Sequence, residues 1–240
     1  MTFVTFARRR SRICEAAPLP CTLVHIRGPG ARASRTRAAR HLAEPRAGAQ
    51  IMLDPANRSA AMRVAITERP GQPMPNLAED YAPELLSAAT AFSIATYRHS
   101  ILPRRLFEAA RIAIAAINGC TVCRDWRTGR HSHLLGIGAG EWTAGDDPDE
   151  AFYSAIMADD LSTLDPRERI AVRFVQEMSN DPQGLAADES LWAELKAALS
   201  DAEIVDLTYC AAGWIGFGRA THVLGVDAAC TLPEPALTAG

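Results

Sequence analysis

Residues 108–133, EAARIAIAAINGCTVCRDWRTGRHSH, decide how the chain is read. An apolar run from Ala109 to Ile117 breaks at Asn118-Gly119. Two cysteines follow, Cys120 and Cys123, ahead of a run rich in Arg and His. Asn-Gly is a strong turn signal, so the pattern predicts one helix before it and a second starting near Cys120. Residues three apart share a helix face, so the two sulfurs can meet. A thiol near a helix N-terminus feels the positive end of the dipole, and Arg124 and Arg127 add charge of the same sign. Both effects favour thiolate, the form that attacks peroxides and disulfides. The motif therefore reads as a redox-active pair. Two other readings stand beside it: small core residues, or a metal site completed by His131 and His133. The spacing Cys-x2-Cys-x7-His-x-His fits no common zinc pattern, so neither a metal nor another cofactor is expected.

Working outward, Arg104 to Ile117 predicts a strong helix with Leu106, Ala110, Ala113, Ile114 and Ile117 facing inward. A helix is predicted over Tyr81 to Tyr97, with Leu85, Leu86, Ala89, Phe92 and Ile94 as its apolar stripe. The helix opened by the cysteines is predicted to run toward Leu135, weakened at Gly129. Further on, caps mark the starts. Asp147-Pro148-Asp149-Glu150, Asp165-Pro166-Arg167-Glu168 and Ser200-Asp201-Ala202-Glu203 each place an N-cap residue three before a Glu. Asp188 to Leu199 is amphipathic, with Leu191, Trp192, Leu195 and Leu199 inward. Nothing argues for a strand, and the fold class expected is all-α.

Residues 1–62 have neither period and are rich in Arg, Pro, Gly and Ala, so they are expected to be a disordered tail. An export signal, a transit peptide, or a start-site artefact with translation beginning at Met52 or Met62 would each account for it; the last is preferred. Residues 63–240 are expected to form the helical domain. Residues 1–63 hold twelve Arg against three acids (Glu15, Glu44, Asp54), whereas the remainder holds thirteen bases against twenty-five acids. An acidic body argues against nucleic acid as its partner. No apolar run is long enough to span a bilayer, so no membrane is expected either. Of the remaining cysteines, Cys14 and Cys21 lie in the tail, and Cys210 and Cys230 stand alone. Glu108 lies on an apolar helix face, where burial would raise its pKa and suit it to passing protons. The plainer reading is a surface residue paired with Arg104 or Arg111, at i−4 and i+3.

Glu108, eleven residues, Cys120, two residues, Cys123: this spacing resembles the alkylhydroperoxidase D and carboxymuconolactone decarboxylase-like family. Pro103 through Cys123 is similar to its core helix-turn-helix, and Asp201 to Arg219 also looks like the two-part, peroxidase-related members. The resemblance implies an all-helical fold in trimers, hexamers or larger rings. It implies a cytoplasmic thiol peroxidase that reduces organic hydroperoxides and is recharged by a dithiol, thioredoxin-like or lipoyl reductant. Residue by residue, it implies Cys123 as the attacking thiol, Cys120 as its resolving partner and Glu108 in a proton relay. Where the family carries a relay His, four residues after the second Cys, this chain has Arg127. Arginine can hold a thiolate by charge but cannot shuttle protons. His131 and His133 are the nearest ionisable substitutes, although on a continuous helix His131 would lie about 12 Å along the axis from Cys123. The dipole alone favours Cys120 as the lower-pKa thiol; the resemblance, with Arg127 at i+4, tips the reading to Cys123. Two other functions remain open. One is a lyase or isomerase acting on a lactone acid, to which the pair is incidental. The other is an oligomeric binding or stress protein whose catalysis was lost with the relay His.

Overall fold

A computed structural model of the protein describes residues 62–67, 69, 76–138, 141, 145–230 and 232. Apart from Met62, the expected tail over residues 1–62 lies outside them. The regular elements are α1 (Leu77–Asp80), α2 (Pro83–His99), α3 (Arg104–Asn118), α4 (Thr121–Asp125) and α5 (Thr128–His131). A 3-10 turn (Ser132–Leu135) follows, then α6 (Glu150–Met157), α7 (Pro166–Asn180), α8 (Pro182–Ala187), α9 (Glu189–Ala198), α10 (Asp201–Val223) and a last 3-10 turn (Val226–Ala229). Every regular element among the described residues is helical, and the fold is all-α.

α3 is the centre. Its alanines and unbranched residues favour helix, and Gly119 ends it in the left-handed region at φ 71°, its N–H returning to Ala116 O at 3.3 Å. α7, α10 and α6 all pack against it. It is therefore buried on every side from Leu106 to Ala115, rather than along one stripe as an amphipathic helix would be. Phe107 joins the layers: its ring meets Tyr97 of α2 edge-on at 5.4 Å and Trp214 of α10 at 4.8 Å. Each such side chain contributes about 1.5–3 kcal/mol by leaving water.

The caps at Asp165 and Ser200 form as reciprocal capping boxes. Glu168 also reaches Arg105 of α3 at 2.9 Å, tying the cap of α7 to the central helix. The cap expected at Asp147 lies two residues further on. Asp149 caps α6 through Phe152 N (2.9 Å), because Asp147 turns instead to Arg104 at 3.1 Å. α2 starts at Pro83, and its expected stripe is met in part: Ile94 packs against the core and Leu86 and Ala89 are half-buried, whereas Leu85 and Phe92 are exposed, and the helix buries Thr96 and Tyr97.

α10 approaches α3 closely. A β-carbon on its Gly218 would lie 2.4 Å from Asn118 Nδ2. That amide donates to Trp214 O at 2.9 Å, while its Oδ1 accepts from Arg219 Nε at 3.2 Å. The residue that ends α3 is thereby bolted to α10, and the turn carrying the cysteines starts from a fixed point.

Candidate active site

After Gly119 the chain is extended at Cys120 and re-enters helix at Thr121. Cys120 is the N-cap of α4, and its sulfur accepts the N–H of Cys123 at 3.4 Å. The two cysteines are joined in a disulfide with Cα atoms 5.3 Å apart, an ordinary separation for a bridged pair. Cys120 is fully buried. Cys123 is partly exposed and lines a cavity of about 720 Å³. Its walls come from α2, α3 and α10, with Leu86, Ile94, Tyr97, Ile114, Trp214 and Phe217 among them.

Beneath the pair lies an ion pair. Glu108 is fully buried and Arg111 is 3 % exposed. The guanidinium donates from Nε to Glu108 Oε1 at 2.9 Å and from Nη2 to Oε2 at 2.8 Å. Its other donors take backbone: Nη1 reaches Cys123 O at 2.8 Å and Nη2 reaches Trp126 O at 2.7 Å. Arg111 thus satisfies carbonyls at the C-terminal end of α4, which a five-residue helix cannot satisfy internally. Tyr153 Oη donates to Glu108 Oε2 at 2.7 Å, and Thr128 Oγ1 donates to Oε1.

This network corrects the expected proton chemistry of Glu108. Burial is the largest single influence and acts upward, as the sequence reading supposed. Arg111, Thr128 and Tyr153 together outweigh it, and the carboxyl is held below its ordinary 4.5. The plainer reading of the residue is half met. It is paired with Arg111 at i+3, but inside the core rather than on the surface. A carboxyl with a depressed folded pKa contributes stability above its unfolded pKa, and that contribution is lost as pH falls through the folded value. Wild-type urea midpoints should therefore hold steady from pH 7 to about pH 5 and fall steeply below about pH 4. Glu108→Gln should start lower at pH 7 and show a shallower acid decline; an unchanged decline would remove Glu108 from the account.

The helix from the cysteines does not run on. It stops at Asp125, and Trp126 and Arg127 are extended. Tertiary packing ends it: the Trp126 indole is buried against Tyr97 (6.0 Å between ring centres) and His131 (5.4 Å), and Thr128 must face Glu108. The i+4 relation between Cys123 and Arg127 does not exist on that broken helix. Arg127 donates to Arg124 O (2.6 Å) and Trp126 O (3.0 Å), and it lies 4.0 Å over the Tyr153 ring. It also pairs with Glu150 at 2.9 Å, which holds that carboxyl below its usual range. The break also removes the straight-helix spacing assumed for His131. His131 is buried, and its Nδ1 accepts from Arg127 N at 2.9 Å, which leaves a ring proton on Nε2. His133 is exposed. Among the described residues no group of three or more His, Cys, Asp and Glu side chains could hold a metal ion.

Sequence reasoning missed Thr128 and Tyr153, which meet Glu108 from 20 and 45 residues away. His222, in the last turn of α10, has its Nδ1 3.0 Å from Asp227 Oδ2 beside the disulfide turn. Cys210 is buried, and its thiol is pushed up to about 12, by burial first and then by Asp206.

No family model matches the chain, and no curated protein matches it. Among solved structures it is similar to a protein of unknown function from Agrobacterium tumefaciens, described as a candidate antioxidant defence protein, AhpD. Identity is 21 %, the match covers 61 % of this chain and 90 % of that one, and the TM-score is 0.49.

Proposed function

We propose that the protein is a dithiol–disulfide oxidoreductase that reduces organic hydroperoxides, as the alkylhydroperoxidase D-like spacing of Glu108, Cys120 and Cys123 implies. The observation that carries this reading is the asymmetry of the bonded pair: Cys123 lines an apolar cavity and Cys120 is sealed behind it. A substrate in the cavity meets one sulfur only, so Cys123 attacks and Cys120 resolves. The Cys123 thiolate takes the distal oxygen of ROOH, the O–O bond breaks, and the alkoxide leaves as ROH after protonation. The resulting sulfenic acid condenses with the Cys120 thiol, forming the disulfide and water. A dithiol reductant of thioredoxin-like or lipoyl type then restores both thiols by exchange. Glu108 acts through Arg111 as a positioning residue, fixing the Cys123 and Trp126 carbonyls. Arg127 fixes the neighbouring carbonyls, and His131 offers a transferable ring proton in the turn that follows.

The test is consumption of cumene hydroperoxide with dithiothreitol as reductant. Wild type should turn over with loss and recovery of two thiols per cycle, and Cys123→Ser should not. A Cys123→Ser protein that keeps full activity on a lactone acid would point to the decarboxylase branch instead.

Association of copies belongs to the same reading. Val205, Tyr209, Ala212, Gly216, Ala220 and Val223 fall on one face of α10 and are all exposed, Tyr209 at 65 % and Val223 at 70 %. An apolar stripe of that length on a surface helix is suited to meeting its own copy in a trimer or hexamer. Light scattering should give a mass several times the 25.9 kDa chain, reduced by Tyr209→Glu. A monomeric wild type would discard the stripe as an interface. No helix among the described residues is long and apolar enough to cross a membrane. The proposed setting is the cytoplasm, where dithiol reductants keep thiols reduced.

A further inference from the structure

The chain leaves α10 at Val223 and reverses at Gly225, which is left-handed at φ 72°. The reversal brings Asp227 back onto His222. Asp227 is 4 % exposed, and its Oδ2 lies 3.0 Å from His222 Nδ1. The same oxygen accepts the N–H of Thr121 at 2.9 Å and its Oγ1 at 3.3 Å; Thr121 Oγ1 also donates to Asp227 O at 3.2 Å. On the other side, a β-carbon built on Gly119 would lie 3.2 Å from His222 Nε2. The acid therefore grips the residue after Cys120, and the imidazole lies against the residue before it.

Covalent geometry limits the distance between this carboxylate and the Cys120 sulfur. Thr121 N is two bonds from Cys120 Cα, so Oδ2 lies no more than about 8 Å from Cys120 Sγ. A negative charge at that range in a buried site opposes a thiolate. The effect is visible on another sulfur: Cys230, which lines the same cavity as Cys123, is pushed up to about 11, by burial first and then by Asp227. His222 counters that charge by donating to it.

We propose that Asp227 and His222 form a positioning pair for the Cys120–Cys123 disulfide. The carboxylate opposes negative charge on the Cys120 sulfur and the imidazole offsets it, so together they set how readily the bond is reduced. The proposal rests on the pair being redox-active, and not on a hydroperoxide being its substrate.

The measurement is exchange with dithiothreitol at fixed pH, read by thiol labelling on the full-length protein. One dithiothreitol thiolate attacks Cys123 Sγ, the S–S bond breaks, and Cys120 leaves as thiolate. The second dithiothreitol sulfur then displaces Cys123 and closes the oxidised ring. Two electrons pass to the protein; at about pH 9.5, above the ordinary thiol value, Cys120 remains in part thiolate and its proton goes to solvent, so a charge beside that sulfur enters the equilibrium. Asp227→Asn keeps an acceptor for Thr121 N–H but removes the charge, and it should move the equilibrium toward dithiol by about tenfold. His222→Phe leaves the carboxylate uncompensated and should move it toward disulfide by about threefold. His222→Asn, whose amide nitrogen falls where Nδ1 was, should return it to wild type. A merely structural role would lower melting temperature in both variants and move the two equilibria in the same direction or not at all, and that result overturns the proposal. Should Asp227→Asn not fold, His222→Phe beside His222→Asn decides it. A wild-type disulfide that does not exchange overturns both this proposal and the redox reading. One that exchanges but ignores hydroperoxides overturns only the substrate.

Discussion

Arg111→Met should lower the unfolding free energy by about 3–5 kcal/mol, the usual consequence of stranding one partner of a buried ion pair. Methionine roughly preserves the volume, so the loss is not mainly a cavity. It has two sources. Glu108 would remain fully buried with only Thr128 and Tyr153 to meet its charge. The carbonyls of Cys123 and Trp126 would also lose a charged donor. The second source distinguishes this pair from an ordinary salt bridge, because it couples the core to the cysteine turn. The double variant Glu108→Leu/Arg111→Met removes the stranded charge and should regain more than half of the loss, as buried pairs replaced by apolar residues generally do. Urea unfolding of the four proteins gives the cycle. A loss under about 1 kcal/mol for Arg111→Met would mean that the pair does not hold the centre together.

The two cysteines should separate cleanly by substitution. Cys123→Ser should lose hydroperoxide reduction altogether, at least about 1,000-fold, because no other sulfur in the cavity is activated. Cys230 lines that cavity too, but its thiol is held protonated by burial and by Asp227. Cys120→Ser should behave differently. The sulfur facing the cavity survives, so one equivalent of hydroperoxide is still consumed in a rapid first turnover. The product is a sulfenic acid on Cys123 that cannot condense with its neighbour. Trapping by dimedone should therefore label Cys120→Ser and neither wild type nor Cys123→Ser. The reverse pattern, with label on Cys120 in the Cys123→Ser protein, would exchange the roles and restore the reading that follows from the dipole alone.

What the sequence made legible was whatever is decided locally. Asn118-Gly119 ended α3 because a left-handed residue was needed there, and Asp165 and Ser200 announced α7 and α10 because a capping box closes within four residues. The cysteine pair was legible as a pair for the same reason. Failures came where distant residues compete for a side chain. Asp147 matched a cap pattern but is claimed by Arg104, 43 residues away. The stop after Asp125 carries no Gly or Pro; it follows from the demand for Trp126 in the core and for Thr128 at Glu108, neither visible in a local window. Glu108 shows both sides. Its neighbour Arg111 could be named from spacing, whereas its burial and its lowered pKa depend on Tyr153, on a helix formed much later in the chain.

Arg111 takes hold of the cysteine turn by its main-chain oxygens alone. Any residue offers the same carbonyl, so the grip does not depend on what stands at Val122 or Arg124. The path of the turn therefore places no demand on those two side chains. The burden of inheritance then falls on the helix underneath, whose Glu108 and Arg111 cannot change separately.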